Sequence, residues 1–316
     1  MNNDRRDFLK YSLGIGLGLL LPKISKSAAN NNLYEELGIQ KVTILHTNDT
    51  HSQVEPLPKN QYRYPNQGGY SRRAYLINDV LRSNNNVLIF DAGDFYQGTP
   101  YFNIYKGKIE VEYMNKMHYT ATTIGNHEFD LGLDTLAQNL SLANFDVISS
   151  NYDFANHNKL SKIVYPYKIY KFNKIKIGVF GLGIDPKGLI DPYIWGNTEY
   201  KEPMQTAAEM TYLLKKDYKC DLIICLSHLG YKGDDGKIGD VEIAKSSSNI
   251  DIILGGHSHN LLPKPISIYN RDNKPVIITQ NAYAGVQMTQ LDCYFSSSGD
   301  FLFADNKTEK IFYKKV

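Results

Sequence analysis

Histidine, aspartate and asparagine side chains follow five separate apolar runs of this 316-residue sequence, and their spacing suits the binding of metal ions. Asp49 and His51 are two residues apart, so both side chains can reach one ion, and His257 and His259 repeat that spacing. Asp94 carries two carboxylate oxygens and can bridge two ions. Imidazole and oxygen ligands without thiolate suit Zn, Mn, Fe or Co better than a cysteine-rich structural zinc site does. The residue types therefore predict a centre of two divalent metal ions.

Two more residues complete the predicted ligand set: Asn126 offers a neutral oxygen and His228 an imidazole. Two divalent ions bring about four positive charges and the carboxylates of Asp49 and Asp94 return about two, so with a bridging hydroxide the site stays at roughly +1. Such a site attracts phosphate anions. Two ions about 3.5 to 4 Å apart polarise a phosphoryl group and lower the pKa of a bridging water. The predicted chemistry is hydrolysis of a phosphate ester.

Hydrolysis also needs an acid for the leaving group. His127 directly follows Asn126, and Asp130 lies three residues further on, where it can orient and charge the imidazole. We interpret His127 and Asp130 as a catalytic dyad. Any one of these clusters alone is as consistent with a hydrogen-bonded turn or a core histidine. Five of the eight histidines fall in the clusters, and this coincidence favours a metal site.

The apolar runs that precede the clusters predict buried strands. They are Val42–Leu45, Val87–Phe90, Ala121–Ile124, Leu222–Leu226 and Ile250–Leu254, with a second half of the fold beginning near Ile175. Apolar periodicity predicts helices over Ser71–Arg82, around Leu133, Leu136 and Leu140, and over Gln205–Lys216. This alternation indicates an α/β fold, in which ligands bind beyond the carboxyl ends of the strands.

Three motifs, ILHTNDTH (44–51), DAGDFYQGT (91–99) and GNHEFDLG (125–132), resemble those of the calcineurin-like metallophosphoesterases, and within them of the 5′-nucleotidase branch. The resemblance covers about residues 40–295. It implies a four-layer α-β-β-α sandwich of two packed mixed sheets flanked by helices. It also implies which residues hold each ion: Asp49, His51, Asp94 and His259 for one, and Asp94, Asn126, His228 and His257 for the other. His127 and Asp130 match the catalytic dyad. Some nucleotidases of the family have Gln at the position of His259, and this difference should not abolish metal binding.

Two residues in matching segments are candidates for substrate binding. Arg72, after Gly68 and Gly69, can approach the substrate phosphate or stabilise the loop of Asp94. Asn281, in the segment Gln280–Ala282, can contact substrate or simply turn the chain. His46 is expected to support the site from behind.

Substrate preference is less well defined by the sequence. Full-length 5′-nucleotidases carry a C-terminal domain whose aromatic residues clamp the nucleobase, whereas here only a strand or tail is expected after Cys293. The leading hypothesis is hydrolysis of nucleoside monophosphates or related monoesters. The alternatives are a phosphodiesterase for cyclic nucleotides or nucleotide sugars, a catalytic subunit that needs a separate nucleobase-recognising chain, and a non-hydrolytic binding subunit. The intact ligands and dyad argue against the last.

The N-terminus predicts export. Asp4–Lys10 resembles a twin-arginine motif, the apolar stretch Tyr11–Leu21 is too short to span a bilayer, and Ser27–Ala29 suits a signal peptidase. We therefore predict a signal segment at residues 1–29, a catalytic domain at residues 30–316 and a periplasmic or exported protein, with an uncleaved anchor as the alternative. The net charge of +2 and the lack of a basic block with interleaved aromatics give no reason to expect nucleic-acid binding. The three cysteines are expected to be core thiols.

Overall fold

The structure is a computed structural model that describes Tyr34, residues 36–233 and residues 237–311. The predicted signal segment, residues 1–29, lies outside the described residues. The strands in the described part are β1 (Gln40–Thr47), β2 (Val87–Asp91), β3 (Ala121–Thr122), β4 (Asp146–Ile148), β5 (Tyr152–Asp153), β6 (Val164–Tyr165), β7 (Tyr167–Phe172), β8 (Ile175–Gly183), β9 (Glu199–Tyr200), β10 (Leu222–His228), β11 (Ile252–Gly255), β12 (Ile266–Tyr269), β13 (Pro275–Thr279), β14 (Gln287–Phe295) and β15 (Phe301–Lys310).

The helices are α1 (Tyr70–Ser83), α2 (Pro100–Tyr105), α3 (Lys108–Lys116), α4 (Gly132–Leu140), α5 (Leu160–Ile163), α6 (Pro192–Trp195), α7 (Pro203–Tyr212) and α8 (Asp240–Ser246). A short 3₁₀ turn covers His127–Phe129, and a π-helical turn covers Leu213–Asp217. None of the helices in the described part of the chain is long and apolar enough to cross a membrane.

Two mixed sheets contain most of the strands. The first has the order β15-β14-β1-β2-β3-β4-β6, with parallel pairing from β1 to β6 and antiparallel pairing of β14 with both β1 and β15. The second has the order β12-β13-β11-β10-β8-β7, with four parallel central strands and an antiparallel strand at each edge. Strands β5 and β9 form a small antiparallel pair.

The two sheets pack face to face because both faces of their central strands are apolar. Val42 and Ile44 of β1 share one buried cluster with Ile177 and Val179 of β8, and this cluster is the inner core. The outer face of the first sheet, which includes Leu45, packs with α1, α3 and α4, and the outer face of the second sheet packs with α7 and α8. The predicted four-layer α-β-β-α sandwich is confirmed.

One close contact between the sheets requires a glycine. A Cβ atom on Gly181 of β8 would collide with the carbonyl oxygen of Ile148, the last residue of β4. The amide of Ser150, just beyond β4, donates to the carbonyl oxygen of Gly181 at 2.8 Å. The absence of a side chain at residue 181 therefore allows the backbones of the two halves to bond directly, on the route from the core to the metal-binding edge.

Several predicted boundaries differ from the structure. The strand expected at Ala121–Ile124 ends at Thr122, and the strand expected from Ile250 begins at Ile252. Helix α7 begins at Pro203 rather than Gln205, because Pro suits the first helical position and the carboxylate of Glu202 accepts the amide of Gln205 at 2.8 Å.

The chain after Val286 forms a two-stranded hairpin. Strand β14 pairs with β1 along residues 289–295, and β15 then pairs with β14 at the edge of the first sheet. Cys293 lies in the inner core, and Cys220 and Cys225 are buried and free, in agreement with the expected core thiols.

Candidate metal centre

Loops at the carboxyl ends of the central strands carry the predicted ligands. In chain order they are Asp49 and His51 after β1, Asp94 after β2, Asn126 after β3, His228 at the end of β10, and His257 and His259 after β11. The structure brings the Asp and His side chains together in two groups, within each of which all ligand atoms lie within 4.8 Å of one another. We call Asp49, His51 and His259 the open group, and Asp94, His228 and His257 the buried group.

In the open group, three ligand atoms converge. The Nε2 atoms of His51 and His259 lie 3.0 Å apart, and Nε2 of His259 lies 3.3 Å from Oδ1 of Asp49. Nδ1 of His51 lies 3.3 Å from the carbonyl oxygen of Tyr96, which favours the tautomer with a free lone pair on Nε2. The lone pair of His51, the Nε2 atom of His259 and a carboxylate oxygen then face one point, as in a site for a divalent cation.

The buried group places an imidazole directly against a carboxylate. Nδ1 of His228 lies 2.7 Å from the carbonyl oxygen of Ala92, so this nitrogen carries a proton and donates it. Nε2 of the neutral ring then presents a lone pair to Oδ2 of Asp94 at 3.0 Å, and this buried Nε2 has no hydrogen-bond partner among the described residues. Burial acts to lower the pKa of His228, but the charge of Asp94 outweighs it and raises the pKa to about 10. Either a proton or a metal ion between the two atoms removes the conflict, and the donor set fits the latter.

The imidazoles of His51 and His257 are suited to metal binding in their neutral form. Burial lowers the pKa of His51. Burial and the neighbouring His228 lower the pKa of His257 to about 4. Nδ1 of His257 lies 3.0 Å from Oδ1 of Asn126, so the predicted amide ligand lies beside the buried group.

Backbone conformation sets this site apart from the rest of the sheet edge. Asp49, His51, Asp94, His257 and His259 all have positive φ, between 44° and 71°. Non-glycine residues rarely adopt this left-handed conformation, and a cluster of them marks a site where the surrounding structure holds strained backbone. The conformation turns each side chain back toward the same edge. Asp49 also links the two groups, because its carboxylate accepts the amide of His257 at 2.9 Å.

Buried acidic residues behind the predicted ligands hold these loops in place. The sequence analysis assigned no role to these acids. Glu128 is 1% exposed, and its carboxylate accepts the amides of Asp94, Phe95, Tyr96 and Gly125 at 2.6 to 3.2 Å. Burial and the neighbouring Asp94 raise its pKa to about 8. The sequence contains this glutamate in the motif GNHE, but it does not show that the side chain points into the interior.

A second buried acid fixes the loop after β2. The carboxylate of Asp91 accepts the hydroxyl of Thr47 at 2.6 Å and the amide of Gly93 at 3.0 Å. Burial raises the pKa of Asp91 to about 7. A Cβ atom at Gly93, which has φ of +87°, would lie 2.7 Å from the amide nitrogen of Gly125, so the loops of Asp94 and Asn126 can approach only because this residue is glycine.

The predicted dyad lies against the metal groups. Nδ1 of His127 lies 2.9 Å from Oδ2 of Asp130, and the rings of His127 and His51 have centroids 5.4 Å apart. The amide of His127 donates to Oδ1 of Asp94 at 2.9 Å. Burial acts to lower the pKa of His127, but the hydrogen bond with Asp130 and the charge of Asp94 outweigh it and raise the pKa to about 9. The structure therefore places the His127 imidazole, paired with a carboxylate, beside the predicted ligands.

The structure does not bring the two candidate substrate-binding residues to the open side of the site. Arg72 donates to the backbone and side-chain oxygens of Asn66, at 2.5 and 3.1 Å, rather than to the loop of Asp94. Asn281 is 1% exposed, and its side chain bonds with the backbone oxygen of His46 and the hydroxyl of Thr289. Asn281 therefore belongs to the interior, because its polar atoms are occupied there.

His46 lies behind the site, as expected. It is fully buried, and burial lowers its pKa to about 3, so the imidazole is neutral. Its Nδ1 atom lies 2.5 Å from the hydroxyl oxygen of Thr279 and 3.0 Å from the side-chain nitrogen Nδ2 of Asn281.

Comparisons with known proteins identify the family of this chain. The calcineurin-like phosphoesterase family matches residues 42–261. A snake venom 5′-nucleotidase from Crotalus adamanteus is 31% identical over 287 residues, covering 84% of this chain and 47% of the relative. A 5′-nucleotidase from Homo sapiens is 29% identical over 291 residues, covering 85% of this chain and 49% of the relative.

Solved structures of nucleotidases are also similar to this chain. A 5′-nucleotidase precursor from Thermus thermophilus superposes with a TM-score of 0.78 at 31% identity, over 86% of this chain and 55% of that protein. An NAD nucleotidase from Haemophilus influenzae superposes with a TM-score of 0.72 at 26% identity, over 86% of this chain and 50% of that protein. The chain spans about half the length of these relatives. The match over residues 42–261 and the identity to these nucleotidases establish that the chain belongs to the calcineurin-like phosphoesterase family.

Proposed function

We propose that this protein is a hydrolase of phosphate monoesters, with nucleoside 5′-monophosphates as the leading substrate class, and that it uses two divalent metal ions. The observation that carries the proposal is the convergence of two Asp and His groups on one sheet edge, with the His127 and Asp130 pair beside them. The similarity to proteins named 5′-nucleotidase supports the substrate class.

The ligand assignment follows the two groups. Asp49, His51 and His259, with Asp94, would hold one ion, and Asp94, Asn126, His228 and His257 would hold the other. When bound, two such ions supply Lewis acidity toward phosphoryl oxygens and an activated water. The identity of the metal is proposed to be Zn, Mn, Fe or Co, because the ligands are imidazoles and oxygens.

The remaining chemistry belongs to the protein. His127 donates a proton from Nε2 to the leaving oxygen of the ester, since Nδ1 is held by Asp130 at 2.9 Å. Asp130 fixes the ring orientation and stabilises the imidazolium form. The bond from the amide of His127 to Asp94 sets the distance between the acid and the metal group. A proton on the leaving oxygen matters most when that oxygen is a poor leaving group.

The direct experiment measures phosphate release by the purified chain with added Mn, Co or Zn. The substrates are a 5′-nucleotide, a sugar phosphate and an aryl phosphate, compared side by side, and Asp94→Ala is the inactive control. We expect metal-dependent release. Strong preference for the nucleotide would assign base recognition to this chain, whereas equal rates would favour a separate polypeptide that supplies it. No release from any monoester would reject the proposal.

A second candidate is hydrolysis of phosphodiesters or related pyrophosphates, including cyclic nucleotides and nucleotide sugars. It is favoured by the structural similarity to a protein named NAD nucleotidase. Including a cyclic nucleotide and a nucleotide sugar in the same assay separates the two functions. Higher kcat/KM for these diesters than for the monoesters would make the diesterase the main activity.

We further propose export through the twin-arginine pathway. The supporting observations are the sequence motif around Arg5 and Arg6 and the similarity to a venom 5′-nucleotidase. Replacing both arginines with lysine should retain the protein in the cytoplasm and leave its in vitro activity unchanged. N-terminal sequencing of the exported form should give Asn30, and an intact Met1 would support the anchor instead.

A further inference from the structure

The four imidazoles of the two metal groups are not fixed in the same way. Nδ1 of His51 and Nδ1 of His228 each contact a backbone carbonyl oxygen, and His257 contacts Asn126. No hydrogen bond from a described residue reaches Nδ1 of His259, whose side chain is 41% exposed. Outer hydrogen bonds normally fix the orientation of a histidine ligand, so another contact must do so for His259.

An aromatic ring supplies that contact. The ring of Tyr283 stacks on the imidazole of His259, with centroids 5.2 Å apart and planes inclined by 22°. This is the offset stacking geometry that aromatic pairs favour. The other imidazoles of the two groups meet neighbouring histidine rings at steep angles of 66° to 75° instead. Stacking restricts the tilt of a ring even when its Nδ1 atom remains in solvent.

The backbone on both sides of Tyr283 is tied to the ligand loops. The amide of Ala282 donates to the carbonyl oxygen of Asn260, next to His259, at 2.9 Å. The amide of Ala284 donates to the carbonyl oxygen of Asp49 at 2.7 Å. Both alanines have φ of +56°, so a strained turn holds the tyrosine between the two ligand loops.

A second tyrosine supports the first. Tyr64 meets Tyr283 edge to face, with centroids 5.9 Å apart, and both pack against a small cluster that includes Leu57 and Val286. Arg72 donates to both oxygens of Asn66, two residues from Tyr64, and so holds this loop in place. The contacts form a continuous path from Arg72 through Tyr64 and Tyr283 to His259.

We propose that Tyr283 is a positioning residue for the open group, which fixes the imidazole of His259 by stacking where a hydrogen bond is absent. The inference rests on the proposed dinuclear centre and adds to it a specific cause of metal affinity at one of the two positions. Arg72, considered above as a contact for substrate phosphate, acts at the far end of this support.

The test is titration of the metal-stripped full chain with Mn²⁺, monitored by isothermal calorimetry. The wild type should bind two ions. Tyr283→Leu, which keeps apolar volume for the cluster but removes the ring face, should weaken one of the two sites by a few fold and leave the other unchanged. Tyr283→Phe should bind like the wild type because the stacking face is retained. Tyr62→Ala, from the loop of Tyr64 and 95% exposed, is the control for loss of a tyrosine ring.

A double-mutant cycle connects the effect to His259. Adding Tyr283→Leu to His259→Ala should cause no further loss of affinity, because the ring that Tyr283 positions is already absent. The inference would be overturned by additive losses, by equal weakening of both sites, or by wild-type metal binding of Tyr283→Leu. If Tyr283→Leu binds metal like the wild type but its KM is changed, Tyr283 contacts the substrate instead. A wild type that binds fewer than two ions would instead refute the dinuclear centre itself, and the inference with it.

Discussion

The buried group and the open group offer the same types of ligand but differ in how the protein encloses them. Asp94 and His228 are buried at the base of the site, where Glu128 and the carbonyl oxygen of Ala92 hold them by hydrogen bonds. In the open group, His259 is exposed and rests on an aromatic ring. We therefore expect an ion held by the buried group to exchange slowly, and an ion held by the open group to exchange more readily with solvent.

Removal of the shared carboxylate should have the largest effect on both groups. We expect Asp94→Ala to lose bound metal and to lower kcat/KM by about a thousandfold or more, because several kcal/mol of charge stabilisation depend on the ions. Metal analysis and phosphate release on the same preparation measure the two losses. Asp79→Ala, an exposed aspartate on α1, is the control. Unchanged metal content would contradict the bridging assignment.

The dyad can be separated from the metal ligands. His127→Ala should lower kcat by about a hundredfold or more on an alkyl phosphate and far less on an activated aryl phosphate, since only the former needs a proton on the leaving oxygen. Metal content should remain at the wild-type value. Equal losses on both substrates, or a loss of metal, would show that His127 is not the acid. Asp130→Asn should reproduce the same substrate dependence with a smaller loss, because it removes only the orienting charge.

Chelation should separate the two metal positions by rate. With a fixed excess of chelator, we expect the ion of the open group to leave about tenfold faster than the ion of the buried group, because its ligands are less restrained. Stopped-flow measurement with a colorimetric chelator resolves the two phases. His259→Ala should remove the fast phase and keep the slow one. A single phase that accounts for both ions would refute the difference between the groups.

The smallest effect is expected from a conservative change in the open group. His259→Gln replaces an imidazole with an amide oxygen that can still reach the ion, so we expect a loss of only a few fold, roughly 1 kcal/mol, in affinity at that site. Calorimetric titration measures this loss of metal affinity and compares it with the loss in His228→Gln. The latter should lose far more, because a buried ligand bonded to Ala92 cannot rearrange. Similar losses for both would indicate that exposure does not matter.

The positions of the candidate ligands could be predicted from the sequence because short-range pattern determines them. An apolar run gives a buried strand, and the polar residue at its end must lie at the sheet edge, so Asp49, Asp94 and His228 follow from local information. The direction in which a buried polar side chain points does not follow from local information. Glu128 and Asn281 both lie in recognisable motifs, but only the packed structure shows that the first bonds four amides and the second bonds His46.

Long-range contacts account for the other differences. Strand β3 ends at Thr122, where the amide of Thr123 makes the last bond of the pairing with β2, to the carbonyl oxygen of Asp91. The left-handed conformations of His51 and His259 are imposed by the surrounding loops, and no local propensity indicates them. The stacking of Tyr283 on His259 joins loops that come together only when the second sheet is assembled.

The most direct test of the central claim combines two numbers from one sample of the purified chain: metal ions bound per chain, and the rate of phosphate release from a 5′-nucleotide as those ions are added back to metal-free protein. The account predicts no release without metal, and full release only as the second ion binds. Release by metal-free protein, or full activity with a single ion bound, would contradict a dinuclear centre built from the two groups.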